Sequence, residues 1–213
     1  MRFAFVNALT GLSACFGLLL ILQADHLTLG QIHVIFAACV LLDGMDGYFA
    51  RRWQVETTFG KLADCVADFL VFGVALAFVL GRFDVPQQFQ VLWILAAALR
   101  LYYFQTVPPS PHVFAGLPLP AAALSVLGVL VLRDSGTWLS VPMAHVSIIA
   151  IAAVMFSTIA YPKQIAPFAI AAALALPLAI LTNPAMTAFV TYVGLCYLLL
   201  GLGSEIRRVW QTV

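Results

Sequence analysis

Charge is what this 213-residue chain has least of: ten Lys and Arg and nine Asp and Glu make up 9% of it, against 63% hydrophobic residues. With a mean hydropathy of +1.04, that scarcity excludes a soluble globular domain, in which about a quarter of the residues carry charge. A net charge of +1 gives a nucleic-acid partner no electrostatic support, so none is expected. Cysteine is also sparse. Cys15, Cys39, Cys65 and Cys196 stand singly in apolar runs, which excludes a disulfide framework or a zinc site and leaves them as small buried hydrophobes. His26, His33, His112 and His145 have no ligand spacing either. Long polar linkers, internal repeats and low-complexity segments are missing, apart from alanine and leucine enrichment late in the chain, so residues 1–213 read as a single transmembrane domain.

What the chain has instead is a succession of apolar runs long enough to cross about 30 Å of hydrocarbon. Eight are placed, at 5–23, 30–51, 57–80, 88–107, 117–133, 142–160, 164–182 and 185–204, separated by stretches such as Val107-Pro108-Pro109-Ser110-Pro111 and Thr182-Asn183-Pro184. The first run lacks a convincing cleavage site and is expected to remain as a span. Eight spans put Arg2, Arg51, Arg52, Lys61, Arg100, Lys163, Arg207 and Arg208 on one side, eight of the ten basic residues. The other side has only Arg82 and Arg133, each near an aspartate. By the positive-inside rule both termini are then cytoplasmic, and six or seven spans would spoil the segregation. The expected fold is all-α, with about eight transmembrane helices in a prokaryotic-type cytoplasmic membrane.

Into this setting the stretch 43–68 puts four carboxylates. Asp43, Asp46, Gly47 and Ala50 fall at i, i+3, i+4 and i+7, and Gly60, Asp64 and Asp68 at i, i+4 and i+8, so each set shares one helix face. Joined by the short linker at 52–57, the two helices face each other with two aspartates apiece across a gap that glycine and alanine keep open. An aspartate near the centre of a membrane helix costs about 2.5–3.5 kcal/mol on insertion scales, less towards the ends. Four together also repel, and a divalent hard cation such as Mg2+ or Mn2+ is the natural compensation. The alternative is a salt-bridge network with Arg51, Arg52 and Lys61, which leaves the glycines beside the acids without a purpose.

The pattern Asp43-x-x-Asp46-Gly47-x-x-Ala50-Arg51, eight residues, then Gly60-x-x-x-Asp64-x-x-x-Asp68 resembles the complete signature of the CDP-alcohol phosphotransferase family. Asn7-Ala8-Leu9-Thr10 precedes the first span. Ala98-Leu99-Arg100-Leu101, Phe114-Ala115-Gly116-Leu117-Pro118-Leu119-Pro120 and Tyr161-Pro162-Lys163 look like its bacterial and archaeal phosphatidylserine synthase branch. There are departures: Phe69-Leu70-Val71-Phe72-Gly73 stands where that branch usually has Val-Ser-Phe-Gly, and Leu101-Tyr102-Tyr103-Phe104-Gln105 where a second arginine and an asparagine are usual. They leave the reaction class intact and bear on the acceptor.

The resemblance implies a six-helix core and a pair of divalent metals, Mg2+ or Mn2+, on Asp43, Asp46 and Asp64, with Asp68 sharing a metal and acting as general base. It also implies that Gly47, Ala50, Arg51 and Gly60 meet the CDP moiety and its phosphates. Transfer of the phosphatidyl group of CDP-diacylglycerol to a small alcohol fits this arrangement, with in-line attack on the β-phosphorus and CMP leaving. L-serine is the favoured alcohol, because glycerol 3-phosphate or an inositol phosphate would call for more cytoplasmic basic residues than the chain offers. Arg100 is assigned to a lipid phosphate or acceptor carboxylate, with snorkelling to the interface as its alternative. Lys163 is given the same candidate role against a plain positive-inside placement. Asn7 and Thr10 are read as helix caps before nucleotide contacts. A homodimer is implied by analogy alone. The reading from a different class, a cation transporter, needs acids near mid-bilayer and on both sides, whereas these gather at one.

Overall fold

The computed structural model describes residues 1–106, 113–134, 140–157 and 159–162. Helix α1 (Arg2–Gln23) runs through a single 3-10 turn, Ala24–His26, into α2 (Leu29–Trp53). A reciprocal cap starts α2: the Thr28 amide donates to Gln31 Oε1 at 2.8 Å and the Gln31 amide to Thr28 Oγ1 at 3.3 Å. It ends at Gln54, whose φ of 54° is left-handed, with the Val55 amide donating back to the Ala50 carbonyl at 3.0 Å.

The third rod, Thr58–Arg82, has three parts: α3 (Thr58–Asp68), a π-helical stretch (Phe69–Ala75) and α4 (Leu76–Arg82). Along α3 the apolar Phe59, Leu62 and Val66 are exposed, at 67%, 59% and 58%, opposite the face that carries the aspartates. The π stretch needs an outside partner for its loosened backbone, and the Trp93 indole supplies one, donating Nε1–H to the Phe72 carbonyl at 2.9 Å. Gly17 lets α1 lie against this stretch: a Cβ there would sit 2.9 Å from Val71 Cγ2.

Helices α5 (Gln87–Thr106), α6 (Leu119–Asp134) and α7 (Val141–Met155) complete the described bundle. Phe36, Phe72, Leu76, Leu80, Trp93, Leu127, Leu130 and Ile148 fill its centre, all within 1% of full burial. Many large apolar side chains point outwards instead, among them Phe78, Leu95, Leu99 and Tyr102, as suits a chain whose solvent is lipid. Arg2–His26, Leu29–Trp53 and Thr58–Arg82 are long and apolar enough to cross a membrane, and Val141–Met155 is apolar but shorter.

The first six expected segments correspond to helical rods. The sixth is a correction: the run read as 142–160 stops at Met155, and Ala160–Pro162 is a strand (β2) paired antiparallel with β1 (Val113–Ala115). Where the helix ends, the carbonyl of Val154 in its last turn is satisfied from outside it, by the Leu117 amide at 3.3 Å, the Ser157 amide at 3.2 Å and the Ser157 hydroxyl at 2.8 Å. The described fold is therefore helical with one two-stranded ladder. The seventh and eighth expected spans, with Lys163, Arg207 and Arg208, lie outside the described residues.

Candidate metal centre

The short turn after α2 leads into α3, and the two helices face each other through their side chains. Thr57 caps α3, its Oγ1 accepting the Gly60 amide at 3.0 Å. A Cβ on Gly60 would stand 3.2 Å from that hydroxyl and 3.7 Å from Asn7 Oδ1 of α1, so α1 and the start of α3 meet at this glycine. Asp43 from α2 and Asp64 and Asp68 from α3 converge, each with a carboxylate oxygen within 4.8 Å of the others. Bare repulsion between two unit charges at that separation is on the order of 3 kcal/mol at an effective dielectric of about 20. Among the described residues the one ion pair is Lys61 with Glu56, 3.2 Å apart and well exposed. Lys61 is thus turned to a different acid, and the salt-bridge network weighed from the sequence is not formed around the three aspartates.

The donor set suits a hard divalent cation. It offers only oxygens, and the oxygens around one Mg2+ ion stand about 3 Å apart when adjacent and about 4 Å when opposite. A spread of up to 4.8 Å needs only small side-chain rotations to close on one ion, or serves two ions about 3.5–4 Å apart.

Asp46 is placed differently. It is the most buried of the four aspartates, at 4% exposure, and lies outside the close group of three. Its Oδ2 accepts a hydrogen bond from Thr10 Oγ1 at 2.5 Å. Asn7 and Thr10 were expected to cap a helix, but α1 starts at Arg2 after Met1, so both are interior to it and face the site. Next to Asp46, Gly47 leaves room for the guanidinium of Arg51 one turn on, which would be 3.3 Å from a Cβ at that position. Ala50 keeps the next turn of this face small, and Arg51 with Gln54 and Glu56 lines an open depression of about 340 Å3. Phe5, Phe49 and Trp53 tie the start of α1 to the end of α2, with Phe49 stacked on Trp53 at 4.7 Å and Phe5 edge-on to both at 5.7 Å.

Arg100 is neither at the interface nor exposed. At 3% exposure it donates Nε–H to the Leu117 carbonyl at 3.1 Å and Nη2–H to the carbonyls of Ala115 at 2.9 Å and Gly116 at 3.4 Å. Burial rules out the snorkelling alternative. Gly116 has φ +74°, and a Cβ there would lie 2.2 Å from the Met155 carbonyl oxygen, so no larger residue fits the turn. The three stretches marked in the sequence, around Arg100, Gly116 and Tyr161, thus form one unit, with Phe114 paired to Tyr161 across the ladder and the Gly116 amide donating to the Ile159 carbonyl at 2.8 Å. No local spacing announces this convergence, because its partners are backbone carbonyls.

The sequence model of the family described as CDP-alcohol phosphatidyltransferase matches residues 3–204. The CDP-diacylglycerol--serine O-phosphatidyltransferase of Mycobacterium bovis is 33% identical over 150 residues, 63% of this chain and 52% of its own. The enzyme of the same name from Helicobacter pylori is 30% identical over 173 residues, covering 76% of this chain and 73% of its own. The archaetidylserine synthase of Methanothermobacter thermautotrophicus is 29% identical over 167 residues, covering 75% and 70% respectively. The chain spans about half the length of the mycobacterial relatives it matches.

Proposed function

This chain belongs to the CDP-alcohol phosphatidyltransferase family, and we propose that it transfers the phosphatidyl group of CDP-diacylglycerol to the hydroxyl of L-serine, giving phosphatidylserine and CMP. The observation that carries this reading is the meeting of Asp43, Asp64 and Asp68, from two helices, within 4.8 Å in a chain otherwise poor in charge. The serine acceptor is supported by the relatives, which are named for serine.

Asp43, Asp46 and Asp64 would hold a pair of divalent cations, Mg2+ or Mn2+, with Asp68 sharing one. Bound there, such ions supply neutralising charge to the pyrophosphate and to the departing CMP. The chain's own residues do the rest. Gly47, Ala50 and Gly60 let the nucleotide approach the backbone of α2 and α3, and Arg51 offers a planar set of donors to a phosphate. Asp68 takes the proton of the serine hydroxyl as its oxygen forms a bond to the β-phosphorus. The bond from that phosphorus to the bridging oxygen breaks, and CMP leaves with the electron pair. Arg100 contributes by holding the 115–117 turn, and Lys163 remains the cation assigned to an acceptor carboxylate or lipid phosphate. Purified protein given CDP-diacylglycerol, Mg2+ or Mn2+ and a panel of serine, glycerol 3-phosphate and inositol phosphate should release CMP with serine alone and make phosphatidylserine. Excess chelator should abolish the release. Full activity in chelator sinks the metal reading, and a phosphorylated product lipid moves the acceptor.

The orientation is also our reading. Eight spans with the site and both termini in the cytoplasm follow from the distribution of basic residues. A membrane-impermeant thiol reagent applied from outside should label a cysteine placed at Asp84 or Asp134 and spare one placed at Lys163. The reverse pattern overturns the orientation.

A further inference from the structure

We propose that Thr10 is a positioning residue for the divalent-metal site, orienting Asp46 through a hydroxyl supplied by a different helix; this rests on the two-metal reading above. The two residues are 36 apart in sequence, yet Thr10 Oγ1 and Asp46 Oδ2 are 2.5 Å apart and both side chains are buried, at 6% and 4% exposure.

Thr10 does not need this bond for itself. Its hydroxyl lies 3.3 Å from the Val6 carbonyl one turn back, the partner that satisfies an interior helical threonine. A hydroxyl has one proton, however, and the shorter contact is to the carboxylate, where a charge-assisted bond is stronger. The group that gains is Asp46, a buried acid whose other hydrogen bond, from the Gly47 amide, comes from its own helix. With Oδ2 held by Thr10, the plane of the carboxylate is set for a cation. The bond also explains why Asp46 lies apart from the close group of three aspartates: its orientation is set from α1, while Asp43, Asp64 and Asp68 converge directly.

The packing of α1 makes this reach available. Val6, Thr10, Ser13, Gly17 and Leu20 form its buried face, and the absent side chain at Gly17 lets the helix close on Val71 of the third rod. Outer hydrogen bonds that orient metal-bound carboxylates change metal affinity by about 10- to 100-fold when removed.

The test measures Mn2+ binding to the purified full chain in lipid nanodiscs, without CDP-diacylglycerol, from the spin-resonance signal of free Mn2+. Thr10→Val and Thr10→Ala should each weaken binding about 10-fold or more, and Thr10→Ser should restore it to within about 3-fold. In turnover, the first two should need a correspondingly higher metal concentration for half-maximal rate while kcat at saturating metal changes little. Wild-type Mn2+ affinity in both Thr10→Val and Thr10→Ala overturns the proposal. So does a Thr10→Ser variant as weak as Thr10→Val, since methyl packing would then be responsible. Failure of both hydroxyl-free variants to fold, with Thr10→Ser folded, assigns the bond to stability and overturns it too. Absence of Mn2+ binding in the wild-type chain would instead sink the metal reading on which the inference stands.

Discussion

At one end of the bundle Arg82 gives its guanidinium to the carbonyls of Ala24 and Leu27, and Arg133 gives its own to the Phe83 carbonyl. At the other, Asp43, Asp64 and Asp68 crowd together, and no described residue offers them a hydrogen bond or an ion pair. The arginines close the ends of α1 and α4 and the turn between α1 and α2, and their charge is spent on orphan carbonyls that a helix cannot satisfy for itself. The aspartates satisfy nothing in the fold. A chain this poor in charge keeps them together against their own repulsion, which bound cations would offset under the function proposed above. Charge is scaffold at the first end; at the second, on the proposed function, it is chemistry.

The sharpest way to break that contrast is at the aspartates. Asp68→Asn should lower turnover on the order of 10²-fold or more, as loss of a general base does, while CDP-diacylglycerol binding with metal present falls only partly. Asp43→Asn and Asp64→Asn should lose metal and nucleotide affinity together. Equilibrium binding measured beside steady-state rates separates the two patterns. Near wild-type turnover in Asp68→Asn would take the base role from it.

A substitution at the opposite end should do the converse. Arg82→Gln removes a charged donor from two carbonyls and should cost about 1–3 kcal/mol of stability, read as a lower midpoint of thermal unfolding, with Mn2+ affinity unchanged. A fall in affinity at undiminished stability would show that the two ends are coupled. The smallest effect is expected at the hinge that faces the site. Gln54 holds a left-handed φ of 54° that costs an L-residue about 1 kcal/mol, so Gln54→Gly should raise the unfolding midpoint by roughly 0.5–1 kcal/mol equivalent. A lowered midpoint would mean that the glutamine side chain contributes more than its backbone costs.

The parts of this molecule legible in the sequence are those written in local periodicity. Spacings of three and four residues put Asp43 with Asp46 and Asp64 with Asp68, and apolar run lengths located the rods to within a few residues. What was illegible depends on partners far apart in the chain. Thr10 reads as a capping residue until α1 is seen to begin eight residues before it and to lie against Asp46. Arg100 reads as a ligand for a phosphate because its real acceptors are main-chain carbonyls, which have no signature. The end of the sixth rod was missed for the same reason: Ala160 is as apolar as the helix before it, and the partners of the Val154 carbonyl at the helix end include the distant Leu117 amide.

The π-helical stretch Phe69–Ala75 has a further consequence, one of phase. Each residue of an α-helix advances its side chain by about 100° around the axis, and a π turn takes in one residue more than an α turn. The wider turns therefore absorb one residue, and Asp64 and Asp68 before the stretch keep nearly the bearing to Leu76 and Leu80 beyond it that an α-helix one residue shorter would give them. A chain shortened by one position here and rewound as an α-helix would keep all four of these side chains in phase. Wound as an uninterrupted α-helix with no residue removed, the rod would instead swing the two acids by about 100° relative to the buried leucines, so it could seat its core or its carboxylates, but not both.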